Sequence, residues 1–354
     1  MLELTAKPDA AEALQRMERW WLRENDDRAI LTIGVETPSR LEAKTFSSPR
    51  EAWFDFDYRI ERALADVEHG CYVAETFPCF EPNLGPDIVS TIFGLKLEFE
   101  PSTSWSVPIV DSIEELLSLK PDFGVDLWQD VEKLQRMAIE AGKGKWITLF
   151  TDLHPNMDVL AALMGQEPAC IAVADEPDQV ARAVEFVTPV CVEAYNRQIR
   201  PLEEANLPIG CWIRGLSRHR TYVPECDFSI LIGPKFFKES VLPTIREEMK
   251  ASDRNIYHLD GPGALRHLDA ILEVPEIHAI QWVYGAGNGP ARNWLPVYKK
   301  ILDAGKGIRV EAEDCEDIRI LNEELGSKGV WYAANFSAPD LEAANRIVNL
   351  LAKH

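Results

Sequence analysis

Eight short runs of β-branched and apolar residues punctuate the sequence, most followed by a polar or Gly/Pro-rich loop and then a segment with apolar residues at helical spacing. The runs are Ala29–Gly34, Cys71–Glu75, Lys145–Phe150, Ile209–Ile213, Asn255–Asp260, Ala279–Val283, Gly307–Glu311 and Gly329–Ala333. Such alternation is the pattern of βα units around a parallel sheet, and it predicts an α/β chain folded as a (β/α)8 TIM barrel. Between the runs, Asp130 to Gly142 sets Val131, Leu134, Met137, Ala138 and Ala141 on one helical face. Pro177 to Arg200 repeats the pattern over a longer span, with Pro189 as an expected kink and Pro201 as the stop.

No repeat of solenoid period and no long linker interrupts the 354 residues, so a single domain is expected over 1–354, with 1–62 a helical extension that carries Trp20 and Trp21 and packs on the barrel. The stretch from Thr76 to Trp105 is long and rich in Pro and Gly, a composition expected of an active-site cover. A net charge of −21 repels phosphate and anionic lipid, which excludes nucleic acid and membrane surfaces as partners and leaves small molecules or other proteins. Seven cysteines without a CxxC pair argue against a disulfide framework. With no apolar run of ~18 residues and no basic-then-apolar start, a cytoplasmic protein is expected.

Barrel enzymes place their chemistry where strands end, so polar residues at those ends are the candidates. His258 and Asp260 lie two apart on one strand and therefore share a face, as a ligand pair or an acid/base pair. Glu75 and Asp152 fall at or just beyond the ends of two other runs, where a charge is costly unless paired, metal-bound or catalytic. Arg214, Arg218, His219 and Arg220 concentrate positive charge after a fourth run; Arg214 and Arg218 are candidates for gripping a substrate carboxylate. Trp105, Trp212 and Trp282 are candidates for walling the cavity around a planar ligand. Cys315 stands among five acidic neighbours, which disfavours a thiolate nucleophile. The run Gly285-Ala286-Gly287-Asn288-Gly289 fits no nucleotide-binding fingerprint and is read as a turn.

Tyr257-His258-Leu259-Asp260-Gly261 closing a strand, followed by Ile280-Gln281-Trp282 on the next, resembles the uroporphyrinogen decarboxylase-like superfamily. The segments Cys226 to Pro234 and Thr151 to Leu153 with Asp158 to Gly165 are similar to its upstream parts. The resemblance covers roughly residues 70 to 350. It implies a (β/α)8 fold and either decarboxylation of a tetrapyrrole or methyl transfer to or from a corrinoid or thiol carrier. Met17 to Glu24 lacks the Arg-rich clamp of the decarboxylases, and Ala74-Glu75-Thr76-Phe77-Pro78 stands where they hold an aspartate in a Phe-Ser-Asp turn. The methyltransferases hold zinc through a His-x-Cys turn and a later Cys; here His258-x-Asp260 and Asn335-Phe336-Ser337 stand in those places. By resemblance, then, the chain is a methyltransferase whose zinc ligands would be His258, Asp260 and Glu311, working with a corrinoid carried by a partner protein, with a homodimer as a further expectation. The alternatives are a metal-free decarboxylase or lyase of a small carboxylated substrate, with Arg214 or Arg218 on the carboxylate and Asp152 or Asp260 handling the proton, and a non-catalytic ligand-binding barrel.

Overall fold

The computed structural model describes residues 2–37 and 42–352. Among the described residues ten strands form, in chain order: β1 Ile30–Val35, β2 Cys79–Phe80, β3 Lys96–Phe99, β4 Ser104–Val107, β5 Ile147–Thr148, β6 Thr221–Tyr222, β7 Arg254–Asp260, β8 Ala279–Val283, β9 Gly307–Ala312 and β10 Val330–Ala338. Six of them make one parallel sheet in the order β1-β10-β9-β8-β7-β6, so the first strand of the chain pairs with the last. A second parallel pair, β2 with β5, makes another stretch of wall. Backbone hydrogen bonds extend that wall in both directions: Glu75 N–H donates to the Leu31 carbonyl at 3.0 Å, and Phe150 N–H to the Gly210 carbonyl at 3.0 Å.

Register decides which side chains meet inside. In parallel strands paired residues face the same way, so the pairings His258↔Gln281, Gln281↔Arg309 and Arg309↔Trp331 put one row of side chains on a common face. One step further along the strands lie Asp260, Val283, Glu311 and Ala333. Odd and even positions alternate faces, and Leu259 with Trp282 therefore points to the other side, against the helices.

Two of the eight predicted runs are not strands. Cys71 to Glu75 is broken by a turn at Ala74, which takes a left-handed φ of 50°. Ile209 to Ile213 doubles back at Arg214, φ 62°, so that Ser217 returns to pair antiparallel with Ile209. The strand at that position is β6, beyond the reversal, and it aligns with β7.

The helix Ala10–Trp21 buries Leu14, Met17, Trp20 and Trp21, and Trp20 meets Trp331 edge-on at 5.2 Å. Trp20 also lies beside Gly307, the first residue of β9, so this helix packs where strands begin, leaving their C-terminal ends open. Span 1–62 thus contributes β1 to the sheet as well as helices around it. The predicted helix from Asp130 begins earlier, at Asp126, and ends at Gly142, whose N–H donates to the Ala138 carbonyl. The helix from Pro177 runs through Pro189 and Pro201 to Glu204, past the expected stop. Within the long Thr76 to Trp105 stretch the chain builds β2, a 3-10 segment Pro86–Phe93 and the β3–β4 hairpin.

Candidate active site

At the C-terminal ends of the strands a cavity of about 530 Å³ is lined by Asp152, His154, Glu225, His258, Asp260, Gln281 and Glu311, with Trp212, Tyr284 and Asn335 among its other walls. The parity of β7 delivers His258 and Asp260 together, and Glu225 joins them because it bridges to His258 in parallel. His154 arrives on the loop after β5, where it takes a φ of 39° and Asn156 one of 51°. A left-handed backbone at two non-glycine residues costs of order 1–3 kcal/mol each and persists only where the surroundings fix it. Asn156 supplies part of that fixation: its Oδ1 accepts from the N–H of Met157 at 2.7 Å and its Nδ2 donates to the Glu225 carbonyl at 2.8 Å. Asp158 accepts from the N–H groups of Asp227 and Phe228 at 2.9 and 2.8 Å, which sets Asp227 across the cavity edge.

The two imidazoles face a common carboxylate. His154 Nε2 lies 3.7 Å from Asp227 Oδ2 and 3.9 Å from Asp152 Oδ2, and His258 Nε2 lies 3.7 Å from Asp227 Oδ1. The opposite nitrogens are held from behind. His258 Nδ1 and Gln281 Oε1 are 2.8 Å apart, Gln281 Nε2 donates to Glu311 Oε1 at 2.7 Å, and Arg309 pairs with the same Glu311 oxygen. His154 Nδ1 is 3.5 Å from Asp87 Oδ1, whose other oxygen accepts from the Ser106 hydroxyl on β4. Trp212 stands edge-on to the His258 ring at 5.0 Å.

So many acidic groups in one hollow cannot all ionise freely. Burial raises Glu225 well above the usual carboxylate range, and the charge of Asp152 adds to the shift. Burial likewise raises Asp260, with His258 opposing and Asp227 reinforcing it. For His154 burial disfavours the cation, but Asp152, Asp87, Glu225 and Asp158 outweigh it and hold the imidazole well above its ordinary value. Deeper in, burial lowers Arg309 to about 9, helped by the nearby charge of Arg214. The cavity is a place of strongly negative potential, which attracts a proton or a metal cation alike.

Of the residues singled out from sequence, Asp152, His258, Asp260, Glu311 and Trp212 line this cavity together. Arg214 lines an adjoining hollow that shares Trp212 and Asn335 with it and also holds Arg309. The others lie elsewhere. Trp282 is fully buried on the opposite face of β8, edge-on to Trp294 at 5.1 Å, because its neighbour Gln281 takes the inward position. Trp105 is 62% exposed on the β3–β4 hairpin, outside the cavity lining. Arg218 follows the reversal at Arg214 and sits at the strand-start end: its N–H donates to Glu18, and the next-but-one Arg220 pairs with Glu203 and borders Asp253 ahead of β7. Glu75 borders the Arg214 hollow, yet both its oxygens are taken by Arg28 at 2.9 and 2.6 Å, with Arg16 and the Leu31 N–H as further donors. Its geometry is that of a structural ion pair. Glu311 is occupied by Gln281 and Arg309 and stands behind His258 as its support, so the donor beside His258 and Asp260 is Asp227. Sequence reasoning passed over His154, Glu225 and Asp227. The Asp152-x-His154 spacing after a strand was the available signal for the first; nothing local marked Glu225, whose strand starts beyond an unforeseen reversal.

Among the described residues, two groups of donors could hold a metal ion: Asp152, His154 and Glu225, and Asp227, His258 and Asp260, with the ligand atoms of each group within 4.8 Å of one another. An O,O,N set suits zinc and other borderline divalent ions. Asp227 Oδ1 and Glu225 Oε2 are buried without a hydrogen-bond partner, as expected of oxygens that serve a cation.

No model of a known protein family matches the chain, and no curated protein matches it in sequence. Its fold is similar to that of a methyltransferase from Methanosarcina mazei, with a TM-score of 0.62 and 11% sequence identity over 96% of this chain and 97% of that one. At that identity the likeness is one of fold.

Proposed function

We propose that the protein is a methyltransferase on a divergent, eight-unit α/β barrel of the uroporphyrinogen decarboxylase-like kind, moving a methyl group between a small substrate and a corrinoid or related one-carbon carrier held by a partner protein. The observation that carries the reading is the grouping of His258, Asp260 and Asp227 within ligand distance of one another, with the His258 ring oriented from behind by Gln281 and Glu311. The fold shared with a methyltransferase supports it. Asp227, His258 and Asp260 would hold zinc, which when bound lowers the pKa of a substrate thiol, alcohol or amine. Trp212 walls the substrate beside His258, and Arg214 reaches it from the adjoining hollow. As the substrate's heteroatom bonds to the methyl group its proton passes to a carboxylate of the cavity wall, and the carrier keeps the electron pair of the methyl bond that breaks.

The test is incubation of the purified protein with methylcobalamin and a panel of small thiols, amines and alcohols, following corrinoid absorbance and methylated product by mass spectrometry. Methyl transfer that disappears in His258→Ala, with an unchanged melting temperature, is expected; full activity in that variant refutes the assignment. The metal-free decarboxylase reading draws on Arg214 in the hollow that adjoins the acidic cavity, and release of CO2 from a chelator-treated protein would favour it. The convergence of so many ionisable groups leaves a purely ligand-holding barrel without its expected signature.

A further inference from the structure

We propose that the cavity is a two-cation centre in which the Asp227 carboxylate bridges two divalent ions, one held also by Asp152, His154 and Glu225 and the other by His258 and Asp260. The proposal deepens the metal reading above and rests on it for the second of these ions only.

Asp227 presents one oxygen to each imidazole, Oδ2 to His154 Nε2 and Oδ1 to His258 Nε2, both at 3.7 Å. That separation is too long for a hydrogen bond and suits two donors on one ion: ligands about 2.1 Å from a tetrahedral centre lie roughly 3.4 Å apart. The 3.9 Å from His154 Nε2 to Asp152 Oδ2 fits the same geometry. A carboxylate that serves one ion with each oxygen is how paired centres, typically ~3.5–4 Å apart, are built.

Each imidazole is also arranged as a ligand. A metal-binding histidine uses its second nitrogen to donate to a carboxylate or amide, which fixes the ring and leaves the other lone pair free. Here His258 Nδ1 meets Gln281 Oε1 and His154 Nδ1 faces Asp87, and both Nε2 atoms are turned to Asp227. Glu225, only 1% exposed, lines the cavity beside Asp152 with Oε2 buried and lacking a donor from the rest of the protein, a position that a proton or a cation must answer. The donor set matches in charge as well: Asp152, Glu225, Asp227 and Asp260, once all are ionised as ligands, balance two doubly charged ions.

The experiment strips the full-length protein with a chelator, reloads it with Zn2+ or Mn2+, and counts bound metal by mass spectrometry. Two ions per chain are expected in the wild type, and one in each of His154→Asn and His258→Asn. The Mn2+-loaded wild type should give an exchange-coupled paramagnetic resonance spectrum that becomes that of isolated ions in Asp227→Asn; this comparison starts from the wild type, so poor folding of one variant leaves the question decidable. One ion or none per wild-type chain, or two ions retained in His154→Asn, overturns the proposal. A wild type that binds only one ion per chain and loses it in His258→Asn, with methyl transfer intact, overturns the bridged pair and leaves the methyltransferase reading standing; two coupled ions without methyl transfer to any acceptor does the reverse.

Discussion

Replacing Glu75 by Ala separates a structural carboxylate from a catalytic one. In the folded chain Glu75 is 2% exposed and receives a two-point contact from Arg28, whose side chain is 12% exposed, plus Arg16 and the N–H of Leu31 on β1. Removing one member of such a buried pair leaves the other charge uncompensated and costs about 3–5 kcal/mol. At ~2.1 cal/mol/K per residue the unfolding entropy of a chain this long is roughly 0.7 kcal/mol/K, so the melting temperature should drop by about 4–7 °C. Calorimetry and urea titration measure the loss directly, and the same preparation is assayed for methyl transfer below its new midpoint. Activity per folded molecule should stay within about twofold of the wild type, because Glu75 lies outside the cavity that His258 and Asp260 line. A loss of less than about 1 kcal/mol, or a melting temperature preserved while turnover collapses, would refute the structural assignment.

Trp282→Ala should cost about 3–5 kcal/mol of stability with little change in KM, whereas Trp212→Ala should raise KM, since only the second faces His258; denaturation and steady-state kinetics on the pair test this. Arg218→Ala should leave activity unchanged while Arg214→Ala weakens binding of anionic substrates, and equal effects would contradict the chain reversal between them. Burial pushes Glu248 up to about 8 from 4.5, so the folded state holds an extra proton between those values; its stabilising contribution is complete below 4.5 and is lost as pH rises through 8. Urea midpoints of Glu248→Gln at about pH 5 and about pH 8.5 should therefore differ less than those of the wild type, and an unchanged difference would count against the shift.

Strand parity was readable and strand context was not. The two-residue spacing of His258 and Asp260 sufficed to place both on the inner face, because it depends only on the pleat. The same rule applied to β8 would have chosen Gln281 over Trp282; the aromatic residue drew attention by its chemistry, while its position sent it against Trp294. Arg214 and Arg218 looked like one basic cluster because they are close in sequence, and a single left-handed residue sends them to different ends of the sheet. Glu75 gave no sign that Arg16 and Arg28, each more than forty residues away, would converge on it. Contacts of that range are set by topology, which local pattern does not encode. His154 escaped notice for a related reason: its loop conformation depends on Asn156 reaching the carbonyl of Glu225.

Ser106 and His154 take hold of opposite oxygens of the one Asp87 carboxylate. The outer hairpin, with the bare indole of Trp105 at its surface, is thereby tethered to a ring that lines the cavity through the three residues Ser106, Asp87 and His154. Any displacement of that hairpin is therefore felt at the Nδ1 side of the imidazole, so the outer surface and the cavity wall are mechanically coupled.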